Sequence, residues 1–191
     1  MKMKYQKIYT RTREMLIRPA GAWQTAISER TDMQKLLYAY FLPLSIFCSL
    51  IVLVINLFTG SLLQALGTAV INLASSLVGS WIAYLLIREY LCKKLNGDSH
   101  QALSLTAYSA AIFILFHSLG VAFGNLFISQ LFILASFIFI RTLYAGINLL
   151  DNISSTQKTN LLIISSLSIV CFPIIVTQLL NILFRISAIN V

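Results

Sequence analysis

Five long apolar stretches alternate with short polar or basic segments along this chain. Each stretch is long enough to cross the hydrocarbon core of a bilayer, which takes about 20 helical residues. The pattern therefore predicts an all-α fold, a polytopic bundle of five transmembrane helices. The predicted spans are residues 36–58, 66–87, 102–119, 126–150 and 161–184, preceded by a basic region of residues 1–35 and followed by a short outer tail of residues 185–191.

The region ahead of the first span has an amphipathic pattern. Between Lys4 and Arg18, apolar and aromatic residues recur at helical spacing on one side, and basic residues fall on the other. Such a helix suits the headgroup boundary of a membrane, and Pro19 favours a bend after it. A solvated arm with a chance pattern is the alternative. The residues predicted to contact the membrane surface are Lys4, Lys7, Arg11, Arg18 and Trp23.

Two features inside the spans predict how the helices pack and bend. Ser75, Gly79 and Ala83 repeat every four residues in the second span, and small residues at this spacing let helix backbones approach closely. We expect this stripe to pack against other spans of the same chain and the second span to be central, with a homodimer contact as the alternative. Pro43 in the first span and Pro173 in the fifth each remove a backbone hydrogen bond, so a kink is predicted at both.

Composition supports a membrane protein, because 58% of the 191 residues are hydrophobic and only 10% are charged, against about 25% in soluble proteins. The net charge is +8, and eight of the 14 Lys and Arg lie in residues 1–35. These cations flank apolar spans rather than a solvated module, so we expect anionic lipid and not nucleic acid as their partner. Since basic loops stay inside, we predict the cytoplasmic (inner) membrane, with the amino end cytoplasmic and the carboxyl end outside.

Residues that could support catalysis are sparse. The chain has two histidines, His100 in the main loop and His117 in the third span, and no acidic residue inside any predicted span. Its three cysteines lack zinc or haem spacing, and no P-loop, HExxH or GxSxG motif is present. We therefore predict a protein that is not an enzyme and that uses no cofactor or metal.

Arg141 and His117 form a candidate intramembrane polar site. If the fourth span ends near Ile140, Arg141 is an ordinary basic flank, which is the favoured interpretation. If the span continues to Leu150, the guanidinium lies about 13 Å deep at 1.5 Å per residue, where an ionisable group usually has a partner or a role. His117, near the outer end of the third span, is more readily a packed imidazole than a metal ligand or proton relay.

Several short motifs resemble the bacterial Yip1-domain membrane proteins. They are Pro19, Trp23, Ile27 and Glu29 before the first span, Tyr40 and Pro43-Leu44 within it, Leu95-Asn96-Gly97 with Gln101-Ala102-Leu103 and Ala107-Tyr108 later, and Tyr144 with Gly146. The resemblance implies a five-helix integral membrane protein with a cytoplasmic amino end. Its eukaryotic members are associated with vesicle traffic and small GTPases, a context that the bacterial members lack. The chain departs from the pattern at Ala110 to Ile112, where such proteins often carry a proline.

Two hypotheses about function follow. The first is a non-enzymatic membrane scaffold or interaction protein, with the amino-terminal region sensing lipid charge or packing and with other membrane proteins, or a second copy of the chain, as further partners. The alternative is a small transporter or channel that uses in-span amides together with Arg141 and His117.

Overall fold

The computed structural model describes residues 2–28, 33–124, 126–150 and 153–184. Within these ranges the regular structure is helical and contains no strand, which confirms the all-α prediction. The helices are α1 (Lys2–Ile17), α2 (Pro19–Ser28), α3 (Met33–Leu36), α4 (Leu42–Thr59), α5 (Leu62–Lys94), α6 (Ser99–Phe123), α7 (Phe127–Ser136), α8 (Phe139–Asn148) and α9 (Ser155–Phe184), and a π-helical turn, Leu37–Phe41, joins α3 to α4.

Five helical segments of the described chain are long and apolar enough to cross a membrane. They are Gln34–Thr59, Leu62–Lys94, Ser99–Phe123, Phe127–Asn148 and Ser155–Phe184. The prediction of five apolar helices is therefore confirmed. The segments extend beyond the apolar stretches at several ends because helix caps, and not the hydrophobic boundary, stop them: Ser61, for example, accepts a hydrogen bond from the Gln64 N–H and starts α5.

The third span lies at the centre of the bundle. Helix α6 contacts α4, α5, α7, α8 and α9, and 72% of its most apolar stretch is buried, against 50% for α5. Our expectation that the second span is the central one is therefore wrong. Small side chains explain the position of α6, because Ala102, Ala107, Ala110 and Ala111 are all buried and let neighbouring helices approach closely.

Two of the spans are interrupted. In the first, the Leu42 N–H donates to the Leu37 carbonyl five residues back, which forms the π turn directly before the predicted kink at Pro43. A π turn is one of the known ways in which a helix accommodates such a local disruption. In the fourth, α7 and α8 are separated at residues 137–138, where the backbone bonds join residues three apart, as from the Phe137 N–H to the Leu134 carbonyl at 3.2 Å.

Candidate functional site: the docked amino-terminal arm

Helices α1 and α2, residues 2–28, are here called the arm. One side of α1 packs on the bundle: Thr12 and Met15 are buried, and Ile8 and Leu16 are partly buried against the same core. We predicted that the apolar side of this helix lies on lipid headgroups. In the structure most of that side contacts protein, because the ends of the spans offer an apolar surface of their own.

Trp23 holds the arm in place. Its indole N–H donates to the Thr142 carbonyl of α8 at 2.8 Å, and its ring packs edge-on to Tyr108 of α6 with centroids 5.4 Å apart. Gly146 makes room for the indole, since a Cβ there would lie 2.6 Å from a Trp23 ring carbon. Trp23 is 2% exposed. It therefore lies inside the protein and not at the membrane surface, where the sequence pattern placed it.

Tyrosine side chains connect the arm to the first and third spans. The Thr12 hydroxyl donates to the Tyr40 hydroxyl at 3.2 Å, and the rings of Tyr40 and Tyr108 have centroids 5.1 Å apart. Both tyrosines are buried. Buried Tyr and Trp combine a large apolar contact with a polar group that needs a partner. Tyr40 is paired with Thr12 of α1 and Trp23 with Thr142 of α8.

Helix α8 also binds the end of α1. The Thr142 hydroxyl donates to the Met15 carbonyl at 3.1 Å, and Arg141 donates from Nη2 to the Ile17 carbonyl at 3.4 Å. The last carbonyls of a helix lack partners within it and carry partial negative charge, so a cation there is favourable. Arg141 is exposed. The fourth apolar segment continues past it to Asn148, and the interpretation of Arg141 as a basic flank stays a prediction.

The outward side of α1 combines apolar and cationic groups. Tyr9 is 68% exposed and Ile17 is 51% exposed, and Arg13 lies between them and is exposed as well. Residues four apart in a helix share one face, so these three side chains form one exposed stripe.

The remaining cations predicted at the membrane surface have different environments. Arg18 is exposed, whereas Arg11 is only partly exposed and takes part in an interaction. Lys4 and Lys7 lie in α1, but their side chains are not among those that the structure describes.

A cleft of about 800 Å³ opens beside the arm, between α2, the turn before α6 and the end of α8. His100 and Asp98 both line this cleft. The Asp98 carboxylate accepts the Gln101 N–H and, at 3.3 Å, the Ser99 hydroxyl, so it caps α6. His100 takes part in an interaction of its own. Among the described residues, no group of three His, Cys, Asp or Glu is placed to hold a metal ion.

The candidate polar site of Arg141 and His117 is not assembled. His117 stacks on Phe113 in α6 with ring centroids 5.1 Å apart, while Arg141 on α8 reaches the end of α1. Neither of these contacts joins Arg141 to His117.

One in-span amide, that of Asn72, joins helices. Asn72 of α5 donates from Nδ2 to Ser49 of α4 at 3.1 Å and to Ser118 of α6 at 3.0 Å, and the Ser118 hydroxyl donates back to Asn72 Oδ1 at 3.2 Å. Asn56 donates to the Val52 carbonyl of its own helix. Since all four atoms of the Asn72 group are buried and paired, they connect three spans and do not line an open water path.

The small-residue stripe of the second span lies in the interior of the bundle. Ser75, Gly79 and Ala83 are buried, and a Cβ at Gly79 would lie 2.5 Å from the backbone of Pro173 in α9. Proline has no N–H and α9 continues through it, so Gly79 supplies the space for this close contact. The packing stripe and one predicted kink thus meet at a single point.

Four of the residues that carry the family resemblance meet where the arm docks. Trp23 contacts Tyr108 and Gly146, and Tyr108 contacts Tyr40, although these residues are scattered from one end of the chain to the other. Sequence reasoning found them as separate motifs and counted Thr12 among the residues on one side of α1. It did not find the hydrogen bonds of Thr12 and Thr142, because hydroxyl side chains are too common to stand out. Comparison with protein families gives a match to the Yip1 domain over residues 13–184. No curated protein and no solved structure matches the chain.

Proposed function

Because the chain belongs to the Yip1-domain family and has five apolar helices, we propose that it is a non-enzymatic integral membrane protein that acts as an interaction scaffold, with its arm resting on anionic lipid. The observation that supports this most directly is the two-sided packing of α1. One side is held by the bundle through Thr12 and Met15, and the other side offers exposed side chains.

The exposed stripe of Tyr9, Arg13 and Ile17 suits the boundary between headgroups and acyl chains. Apolar side chains next to cations are the composition of interfacial helices, and each Lys or Arg near an anionic surface adds about 1 kcal/mol of attraction. The arm does not need to leave the bundle for this contact, since these side chains already point away from it.

Further cations lie at the ends of the spans next to the arm. Lys93 and Lys94 end α5 and are exposed, Lys93 in an ion pair with Glu89. Lys158 donates to the Asn148 carbonyl at the end of α8. This concentration of positive charge supports the proposal that the arm faces the cytoplasmic leaflet of the inner membrane, with the carboxyl end outside.

The lipid contact can be tested with the full chain in nanodiscs of neutral lipid and of lipid containing an anionic fraction. We expect anionic lipid to slow hydrogen exchange of the α1 amides, and we expect Arg13→Gln with Arg18→Gln to remove most of the difference, because about 2 kcal/mol of attraction is lost. Raised salt should have the same effect as the double variant.

Glu14→Gln is the matched control, since it removes an exposed charge of opposite sign from the same helix. It should strengthen the preference for anionic lipid. Equal exchange in both lipids for the natural chain would contradict the lipid contact.

The scaffold part of the proposal is tested separately, by placing a photoreactive residue at position 9 in native membranes. The control places the same residue at position 131, because Leu131 of α7 is also exposed. We expect more protein adducts at position 9, and equal or lower adduct formation there would contradict the scaffold role.

A further inference from the structure

A pocket of about 250 Å³ lies between the last turn of α8 and the first two turns of α9. Its lining mixes a cation, side chains with hydrogen-bond donors and apolar side chains. Among them are Tyr144, Ile147 and Asn148 of α8 and Ser155, Lys158 and Leu162 of α9. Since residues three, four and seven apart share one face of a helix, the pocket is formed by one face of each of two neighbouring spans.

Lys158 supplies the positive charge of this pocket. It is partly exposed, and its ammonium donates to the carbonyl of Asn148, the last residue of α8, at 2.9 Å. A lysine ammonium carries three N–H donors, so this bond leaves two for a ligand. Because the bond also fixes where the charge lies, less ordering remains to be done when a ligand binds.

The position of Lys158 along α9 favours a group at the boundary between headgroups and acyl chains. Lys158 precedes Leu161, where the apolar stretch of α9 begins, by three residues, which is about 4.5 Å along the helix. Leu162 lies one turn deeper and is partly buried, whereas Ser155 lies toward the helix start and is exposed. The pocket therefore changes from polar to apolar in the direction in which a lipid does.

We propose that this pocket binds the phosphate of an anionic phospholipid. The phosphate oxygens accept from the Lys158 ammonium and the Ser155 hydroxyl, and the acyl chains pass Leu162 into the bilayer. Basic pockets between spans on the cytoplasmic side bind anionic headgroups in other membrane proteins. The volume is below the range of about 300–1,000 Å³ that is usual for whole ligands, so it suits a headgroup whose chains stay outside.

This site goes beyond the contact of the arm with the leaflet. It binds one lipid at a defined place on α8 and α9, and no residue of α1 or α2 lines it. A soluble phosphate ester would use the same contact with Lys158 but would gain nothing from the apolar surface of Leu162.

The test uses the full chain in phosphatidylcholine nanodiscs, with a phosphatidylglycerol that carries a photoreactive group on its headgroup as the probe. We expect labelling of residues 144–148 and 155–162 that saturates as the mole fraction of the probe rises. Unlabelled phosphatidylglycerol should suppress it, and additional phosphatidylcholine should compete at least about fivefold more weakly, because its headgroup has no net charge. Glycerol 3-phosphate should not compete at the same concentration.

Two substitutions test the contact with the phosphate. Lys158→Gln should raise the half-saturating mole fraction about five- to tenfold, the contribution of one cation near an anionic group, and Lys158→Arg should restore binding because it keeps the charge. Ser155→Asp places a carboxylate three residues from Lys158 on the same face and should weaken labelling at least as much. It does not endanger the fold, because an acidic residue in the first turn of a helix is favourable.

Lys94→Gln is the matched control, since it removes the same charge from an exposed residue outside the pocket; it should leave the curve unchanged. Arg13→Gln with Arg18→Gln, which tests the arm, should also leave this labelling unchanged, so failure of one lipid contact is distinguishable from failure of the other. Labelling that rises linearly with mole fraction, or an unchanged curve for both Lys158→Gln and Ser155→Asp, would overturn the proposal. Equal competition by glycerol 3-phosphate would also overturn it, by assigning the pocket to a soluble phosphate.

Discussion

The arm and the interior of the spans are held together in different ways. The arm depends on large aromatic side chains, with Trp23 inserted between α6 and α8. The interior depends on the absence of side chains at Gly79 and on an amide shared among three helices at Asn72. Near water, burying an aromatic ring is favourable in itself, whereas in lipid the surroundings are equally apolar, so close backbone contact and hydrogen bonds decide the packing. The arm is thus held by aromatic burial, and the spans are held by close backbone contact and hydrogen bonds.

Trp23→Ala should have the largest effect, because it removes the aromatic side chain that holds the arm. Loss of a fully buried tryptophan costs about 3–5 kcal/mol, and we expect this loss in the docking of the arm. The readout is hydrogen exchange of the α1 and α2 amides, which should become faster by the corresponding factor. Trp81→Ala is the control, because that side chain is about half exposed and its ring contact is with Tyr84 of its own helix. Unchanged exchange in the arm of the Trp23 variant would show that the indole is not its anchor.

Gly79→Val tests the close contact between α5 and α9 in the interior of the bundle. A Cβ at this position would meet the Pro173 backbone at 2.5 Å, so α5 and α9 must separate, and we expect the free energy of unfolding in mixed micelles to fall by about 2–3 kcal/mol. Gly21→Ala is the matched glycine variant. Gly21 has nothing within 4 Å of its Cβ position, and this change should be neutral or stabilise α2 by up to about 1 kcal/mol. A similar loss in both variants would argue against the close contact.

Asn72→Leu separates the hydrogen-bond contribution from close packing. It leaves the Ser49 and Ser118 hydroxyls without their partner, and we expect a loss of about 1–2 kcal/mol in the same unfolding measurement. Adding Ser49→Ala and Ser118→Ala should recover part of the loss, because no buried polar group is then left unpaired. If the triple variant is as unstable as the sum of the single variants, the three residues are not coupled.

Thr142→Val gives the smallest of these effects. It removes the hydrogen bond to the Met15 carbonyl and keeps the shape of the side chain, so arm docking should weaken by about 0.5–1.5 kcal/mol in hydrogen exchange. Thr159→Val, in an exposed part of α9, should leave the arm unchanged. An effect as large as that of Trp23→Ala would mean that the hydroxyl, and not the aromatic contact, holds the arm.

Hydrophobic patterning predicted the number of apolar helices because the length and polarity of each span are visible in the sequence. It failed to identify the central helix, since a residue facing lipid and a residue facing another span are both apolar. The buried alanines of α6, such as Ala107 and Ala111, were the available signal. The break between α7 and α8 at residues 137–138 contains no proline or glycine, so the sequence did not predict it.

The same limit applies to the arm. An amphipathic helix has an apolar side, but the pattern does not say whether lipid or protein covers it. Met15 and Trp23 were therefore visible as apolar positions, while their burial in the bundle depended on surfaces supplied by α6 and α8. The unpaired hydroxyls of Ser80, Ser109 and Ser165 were equally hidden, because other Ser and Thr residues in these helices, such as Ser75 and Thr106, bond to their own backbone.

The bond from Trp23 to Thr142 joins residues 119 positions apart. As a ribosome makes this protein, the arm emerges before α8, and its docking surface on α8 exists only after the fourth apolar segment has been translated and inserted. Throughout that interval the indole has its ring contact with Tyr108 available but lacks the carbonyl that accepts its hydrogen bond. The seating of the arm is thus a late step that marks completion of the surface it occupies.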